Sequence, residues 1–87
     1  MLYVCSWSYP PERRNEIQAR FKQTGGPPPQ GVKMIGRWHS VGGGKGVCIA
    51  ETNDGAALSK WIQDWSDLMK MDVYPALDDE AIGKVIA

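Results

Sequence analysis

Residues 2–9 are rich in β-branched and aromatic side chains and stop at Pro10-Pro11, which predicts a first strand. Pro11 suits the first turn of a helix and Glu12 its positive end. A helix is therefore expected over residues 12–23, with Ile17 and Phe21 as its i, i+4 apolar pair. The segment Thr24-Gly25-Gly26-Pro27-Pro28-Pro29-Gln30-Gly31 cannot continue that helix and reads as a stiff connecting loop. Two strands are expected next, over residues 32–40 and 46–52, joined by a glycine hairpin. Asn53 and Asp54 offer caps to a second helix, whose Leu58, Trp61, Ile62 and Trp65 fall at i, i+3, i+4, i+7. Residues 68–76 read as a fourth strand, with Pro75 favouring a sheet edge or the strand's exit. Asp78-Asp79 then introduce a short terminal helix through Lys84.

The order strand, helix, strand, strand, helix, strand, with right-handed crossovers, predicts an α+β ferredoxin-like βαββαβ sandwich. Both helices pack on one face of a four-stranded antiparallel sheet, and the short C-terminal helix follows. The strands are apolar on both alternations: Leu2 and Val4 point one way, Tyr3, Cys5 and Trp7 the other. Two apolar faces call for two covers. A second copy laid face to face is the simplest, so a homodimer is expected.

Composition narrows this picture. A chain of 87 residues is one small domain, 1–87, and association would hide apolar surface that folding alone leaves exposed. Four tryptophans and three tyrosines suit cores and interfaces alike. Ten basic and ten acidic residues cancel, leaving no general field for nucleic acid or an anionic membrane. Neither partner is expected. Cys5 and Cys48 lie singly in apolar runs without CxxC spacing, which predicts buried, reduced thiols. The amino terminus lacks a basic region followed by a long apolar core, so a soluble, cytoplasmic protein is expected.

Several segments carry a resemblance. They are Pro10-Pro11-Glu12, Thr24 to Pro29, Gly36-Arg37-Trp38-His39 with Gly42-Gly43-Gly44, Glu51-Thr52, and Trp65-Ser66-Asp67-Leu68. In these the chain resembles the dimeric α+β barrel superfamily and, more narrowly, a small family of bacterial and phage proteins without a settled activity. The resemblance covers nearly the whole chain and implies paired ferredoxin-like sheets around a shared interior. Other branches of the superfamily include cofactor-free monooxygenases, haem-degrading enzymes, lactone isomerases and stress-responsive binding proteins. None of their catalytic signatures maps onto this sequence, so the resemblance implies no catalytic residue.

Gly42-Gly43-Gly44-Lys45-Gly46 invites a phosphate-loop reading, but Ser40 and Gly46 stand where that loop needs Gly and Ser/Thr. The run also joins two strands instead of opening a helix, so a hairpin turn is the better reading. With residues 41–45 as the loop, Ser40 faces Gly46, His39 faces Val47, Arg37 faces Ile49 and Ile35 faces Glu51. That register puts Ile35, Arg37, His39, Val47, Ile49 and Glu51 on the partner-facing side, and Met34, Gly36, Trp38, Cys48 and Ala50 toward the helices. A one-residue slip reverses the assignment.

Arg37, His39 and Glu51, with Tyr3 and Trp7 as aromatic walls, are thus the candidate ligand-binding residues. Arg37 would clamp an anion, and His39 would donate a hydrogen bond or shuttle a proton. The plainer alternative is an Arg37–Glu51 ion pair with His39 as an interface residue. One histidine and no ligand spacing predict no metal site, and no cofactor is expected. The leading expectation is a small-molecule-binding homodimer. Its rivals are a cofactor-independent monooxygenase or isomerase acting on an aromatic or carboxylated substrate, and a structural or regulatory interaction module.

Overall fold

Four antiparallel strands build one sheet in the order β2-β3-β1-β4, with β1 at Leu2–Ser8, β2 at Lys33–His39, β3 at Lys45–Glu51 and β4 at Lys70–Ala76. The computed structural model describes residues 1–87. A 3₁₀ turn at Pro11–Arg13 leads into α1, Arg14–Thr24; α2 spans Gly55–Gln63 and α3 Asp79–Ile86. This is the expected βαββαβ ferredoxin-like order with a terminal helix. Pro75 lies in β4, an edge strand, where its missing N–H removes no ladder bond from a second neighbour.

Local chemistry sets the helix ends. Gly25 closes α1 in the left-handed region (φ 73°), donating its N–H to the Phe21 carbonyl at 2.7 Å. Asp54, and not Asn53, caps α2 by accepting from the Ala57 N–H at 3.0 Å. Asp78 caps α3 in the same way, accepting from Ala81 at 2.8 Å. The glycine hairpin is also present: Gly43 and Gly44 both have positive φ, and the Ser40 N–H donates to the Lys45 carbonyl at 2.9 Å.

The core lies where α1 and α2 meet the sheet. Cys5, Cys48 and Ala50 from the central strands pack with Val32, Leu58 and Trp61. Thr52 is the one buried polar side chain and is satisfied, donating to the Gly31 carbonyl at 2.6 Å and accepting from the Asp54 N–H at 2.9 Å.

The register of β2 departs from expectation. His39 pairs with Gly46, Trp38 with Val47, Arg37 with Cys48 and Gly36 with Ile49. The hairpin loop takes in one residue more than expected, and that single step reverses the faces. Arg37 and His39 point toward the helices beside Cys48, whereas Trp38 joins Val47, Ile49 and Glu51 on the opposite, open face. A bulge at Ile35, between Met34 and Gly36, restores the original alternation, so Met34 lies on the helix side as expected, though it and not Gly36 pairs with Ala50.

Candidate functional site

A cavity of about 310 Å³ opens between the sheet and the two packed helices. Its floor is the strand surface carrying Cys5, Cys48 and Trp7, and its walls are Ile17 and Phe21 of α1 with Trp61 and Ile62 of α2. Trp65, Met69 and Met71 close one side, and Arg37, His39 and Lys45 bring polar chemistry to the mouth. The same i, i+4 spacings that make α1 and α2 amphipathic therefore supply the cavity's apolar walls.

Arg37 crosses from β2 to the end of α1. Its guanidinium donates to the carbonyls of Gly26 at 2.7 Å and Gly25 at 2.9 Å, and stacks 4.8 Å above the Phe21 ring. These carbonyls lie at and just past the cap of α1, so the contact satisfies them and sets a positive charge near the negative end of the helix. The observed register gives Arg37 two backbone acceptors and a ring to stack on, where the alternative face offers the solvent-exposed Glu51. Gly26 tolerates this closeness because it is buried at φ 51°, with an added Cβ falling 3.2 Å from Arg37 and 3.3 Å from Trp65.

His39 is exposed at the rim, edge-on to Trp7 (centroids 5.7 Å apart) and to Phe21 (5.2 Å). Arg20 braces the neighbouring wall. It grips Asp67 with two bonds of 3.0 Å, donates to the Asp64 carbonyl at 2.8 Å, and lies over the Trp65 ring. The bidentate guanidinium holds the Asp67 carboxyl below the usual carboxylate range. Both groups are solvent-screened, so the pair fixes geometry more than it adds stability.

Of the five residues expected to form the site, Arg37, His39 and Trp7 meet at the cavity. Tyr3 shares their sheet face but packs against the core cluster away from the cavity. Glu51 is exposed on the open face, so the expected Arg37–Glu51 pairing does not form. The trio expected to face a partner subunit is thereby corrected: two of its members face the helices. Phe21, Trp61, Trp65 and the two cysteines also line the cavity. Their spacing marks them as core residues, and only tertiary packing makes them walls as well.

The family described as a domain of unknown function, DUF3303, matches residues 1–87. The chain belongs to the DUF3303 family. No curated protein matches the sequence. Among solved structures, a proposed antibiotic biosynthesis monooxygenase of Deinococcus radiodurans aligns at 12% identity and TM-score 0.52, covering 90% of this chain and 94% of that one. Rv0793 of Mycobacterium tuberculosis aligns at 18% identity and TM-score 0.55, covering 90% and 96%. At these identities the likeness establishes a shared ferredoxin-like α+β fold for the DUF3303 chain and nothing about its chemistry.

Arg37 offers a direct test of how the site of this DUF3303 protein is held. Arg37→Ala removes both bonds to the end of α1 and is expected to lower unfolding free energy by roughly 1.5–3 kcal/mol. Arg37→Lys should restore little, because an ammonium cannot fork across two carbonyls. Urea unfolding of both variants measures this; wild-type stability in Arg37→Ala would show that the side chain is free for other duties.

Proposed function

We propose that this protein is a small-molecule-binding homodimer whose ligand enters the cavity between the sheet and helices α1 and α2. The observation that carries this reading is the cavity itself: about 310 Å³, walled by aromatic and aliphatic side chains, with Arg37 and His39 at its mouth. Ligand sites are commonly of this size, mostly apolar, with a few convergent polar groups. Arg37 uses two of its five N–H donors on backbone carbonyls, which leaves others to meet an anionic substituent. A flat aromatic carboxylate is the ligand class that suits these walls and this charge.

Binding is favoured over the monooxygenase or isomerase alternative. The His39 side chain is exposed and has no hydrogen-bonding partner in the protein to orient it as a base. The dimer reading rests on the open sheet face, where Trp38 is 57% and Tyr74 47% exposed beside Val4, Val47 and Ile49. In α3, Ile82, Val85 and Ile86 also stand in solvent. A contiguous apolar face of this kind marks an interface, and a two-fold partner covers it with itself. No helix is long and apolar enough to cross a membrane. The free thiols suit the reducing cytoplasm, where we place the protein.

Titration with 2-naphthoate, followed by ¹⁵N NMR, tests the reading. The Trp7, Trp61 and Trp65 indole N–H resonances and the Arg37 amide are expected to move, while those of Trp38 and Lys33 stay still. Movement confined to the open face, or none at millimolar ligand, would sink the cavity assignment. Sedimentation should return a dimer at micromolar concentration, and Trp38→Glu a monomer. A monomeric wild type would overturn the dimer alone.

A further inference from the structure

Cys5 and Cys48 stand directly opposite each other on β1 and β3, the two central strands, and both are free. Opposed residues of an antiparallel pair have Cα atoms about 4.5 or 5.5 Å apart, and both separations lie within the span of a disulfide. The two side chains share the helix-facing side of the sheet, so their sulfurs approach each other with no strand between them. Both are buried, Cys5 at 0% and Cys48 at 3% exposure, and both lie beneath the cavity, whose floor is the route by which a small oxidant would reach them.

The surroundings divide the labour between the two thiols. The neighbouring Cys48 sulfur, and then burial, push the Cys5 thiol up, whereas Cys5 pulls the Cys48 thiol down against the opposing effect of burial. The Arg37 guanidinium, whose residue pairs with Cys48 across β2 and β3, lowers Cys48 further. With Arg37 paired opposite it on β2, Cys48 is assigned as the thiolate-forming member and Cys5 as the resolving one.

We propose that Cys5 and Cys48 form an oxidant-sensitive dithiol that closes reversibly into an intramolecular disulfide across the cavity floor. The oxidant is a small peroxide. The Cys48 thiolate attacks a peroxide oxygen and the O–O bond breaks, giving Cys48 sulfenic acid and hydroxide, which takes a proton and leaves as water. Cys5, deprotonated in turn, attacks the Cys48 sulfur; the S–S bond forms, the S–O bond breaks, and a second water leaves. The two thiols are oxidised by two electrons and hydrogen peroxide is reduced to two waters. A dithiol reductant reverses the closure by exchange. The step requires only that peroxide reach the cavity, and it holds whether or not an organic ligand binds there.

The experiment treats the folded wild-type chain with hydrogen peroxide, then denatures it in N-ethylmaleimide and measures intact mass and a peptide map. The expected result is loss of two hydrogens, no alkylation, a peptide linking residues 5 and 48, monomer migration without reductant, and return of both thiols with dithiothreitol. Cys5→Ser is expected to stop at a sulfenic acid on Cys48 that dimedone traps, whereas Cys48→Ser should give no such adduct on Cys5. Oxidation of Met1, which is 57% exposed, shows that the oxidant was active. Two alkylated cysteines beside an oxidised Met1, or a disulfide joining two chains, overturns the proposal. The wild-type measurement decides the matter even if either serine variant fails to fold.

Discussion

Trp61→Ala is expected to remove about 3–5 kcal/mol of stability, the range for deleting a buried aromatic ring. A chain of 87 residues holds only about 4–13 kcal/mol in all, so the loss takes from about a quarter to all of it. Trp61 is 7% exposed and packs with Cys5, Val32, Cys48, Ala50 and Leu58, which makes it the largest side chain in the core cluster. It also walls the cavity, so the void left by alanine merges with existing space that the rigid sheet cannot close. At about 4–8 °C per kcal/mol, the thermal midpoint by circular dichroism should fall by tens of degrees. Trp38→Ala is the control: its ring is 57% exposed on the open face, and its effect on the folding of one subunit should stay within about 0.5 kcal/mol. Similar melting of the two variants would mean that the core has been placed wrongly.

The topology was legible because its signals are local. Period-two and period-3.6 patterns, the Pro10-Pro11 stop, the Asp54 and Asp78 caps and the edge-seeking Pro75 each act within a few residues of themselves. The register of β2 was not, because it depends on a difference of one residue in hairpin length, and Gly42-Gly43-Gly44 accommodates either count. What the observed register gains is distant in sequence. Arg37 finds its acceptors at Gly25 and Gly26, beyond a proline-rich loop whose path the sequence does not specify. The bulge at Ile35 is similarly invisible, since isoleucine carries no bulge signal of its own.

The candidate site was legible in part for the same reason. Arg37 and His39 stand out as rare chemistry on alternate positions of one strand, and Trp7 as an aromatic on the first strand. Their gathering at one cavity depends on a long-range register that also parts them from Glu51. The pairing of Cys5 with Cys48 lies further from view: two lone cysteines in apolar runs become neighbours only through the alignment of β1 with β3. Phe21 and Trp65 were readable as apolar packing residues but not as cavity walls, because spacing reports which face a side chain takes and not what that face encloses.

Gly46→Ala is expected to disturb the cavity more than any other single methyl group added to the chain. A Cβ at Gly46 would overlap the Trp7 ring, 2.5 Å from its Cε2, and would lie 2.8 Å from the Trp38 carbonyl oxygen. That oxygen belongs to the backbone of the neighbouring strand and cannot withdraw unless β2 parts from β3. The indole must therefore move, and it is itself held edge-on by His39, which rests in turn on Phe21. Displacing it pushes apolar volume into the cavity and unseats the histidine at the mouth. Overpacking of this kind costs about 1–3 kcal/mol, visible as a lower urea midpoint, and naphthoate-induced shifts should be lost with it. Gly36→Ala separates crowding from its consequences. Its Cβ would overlap the Trp38 ring, 2.8 Å from Cζ2, but within one subunit that indole is exposed and can swing away. Stability and naphthoate shifts near wild type for Gly36→Ala, against losses of both for Gly46→Ala, are the expected pair. Equal losses at the two glycines, compared at concentrations where the chain is monomeric, would mean that Trp38 is held within its own subunit as firmly as Trp7.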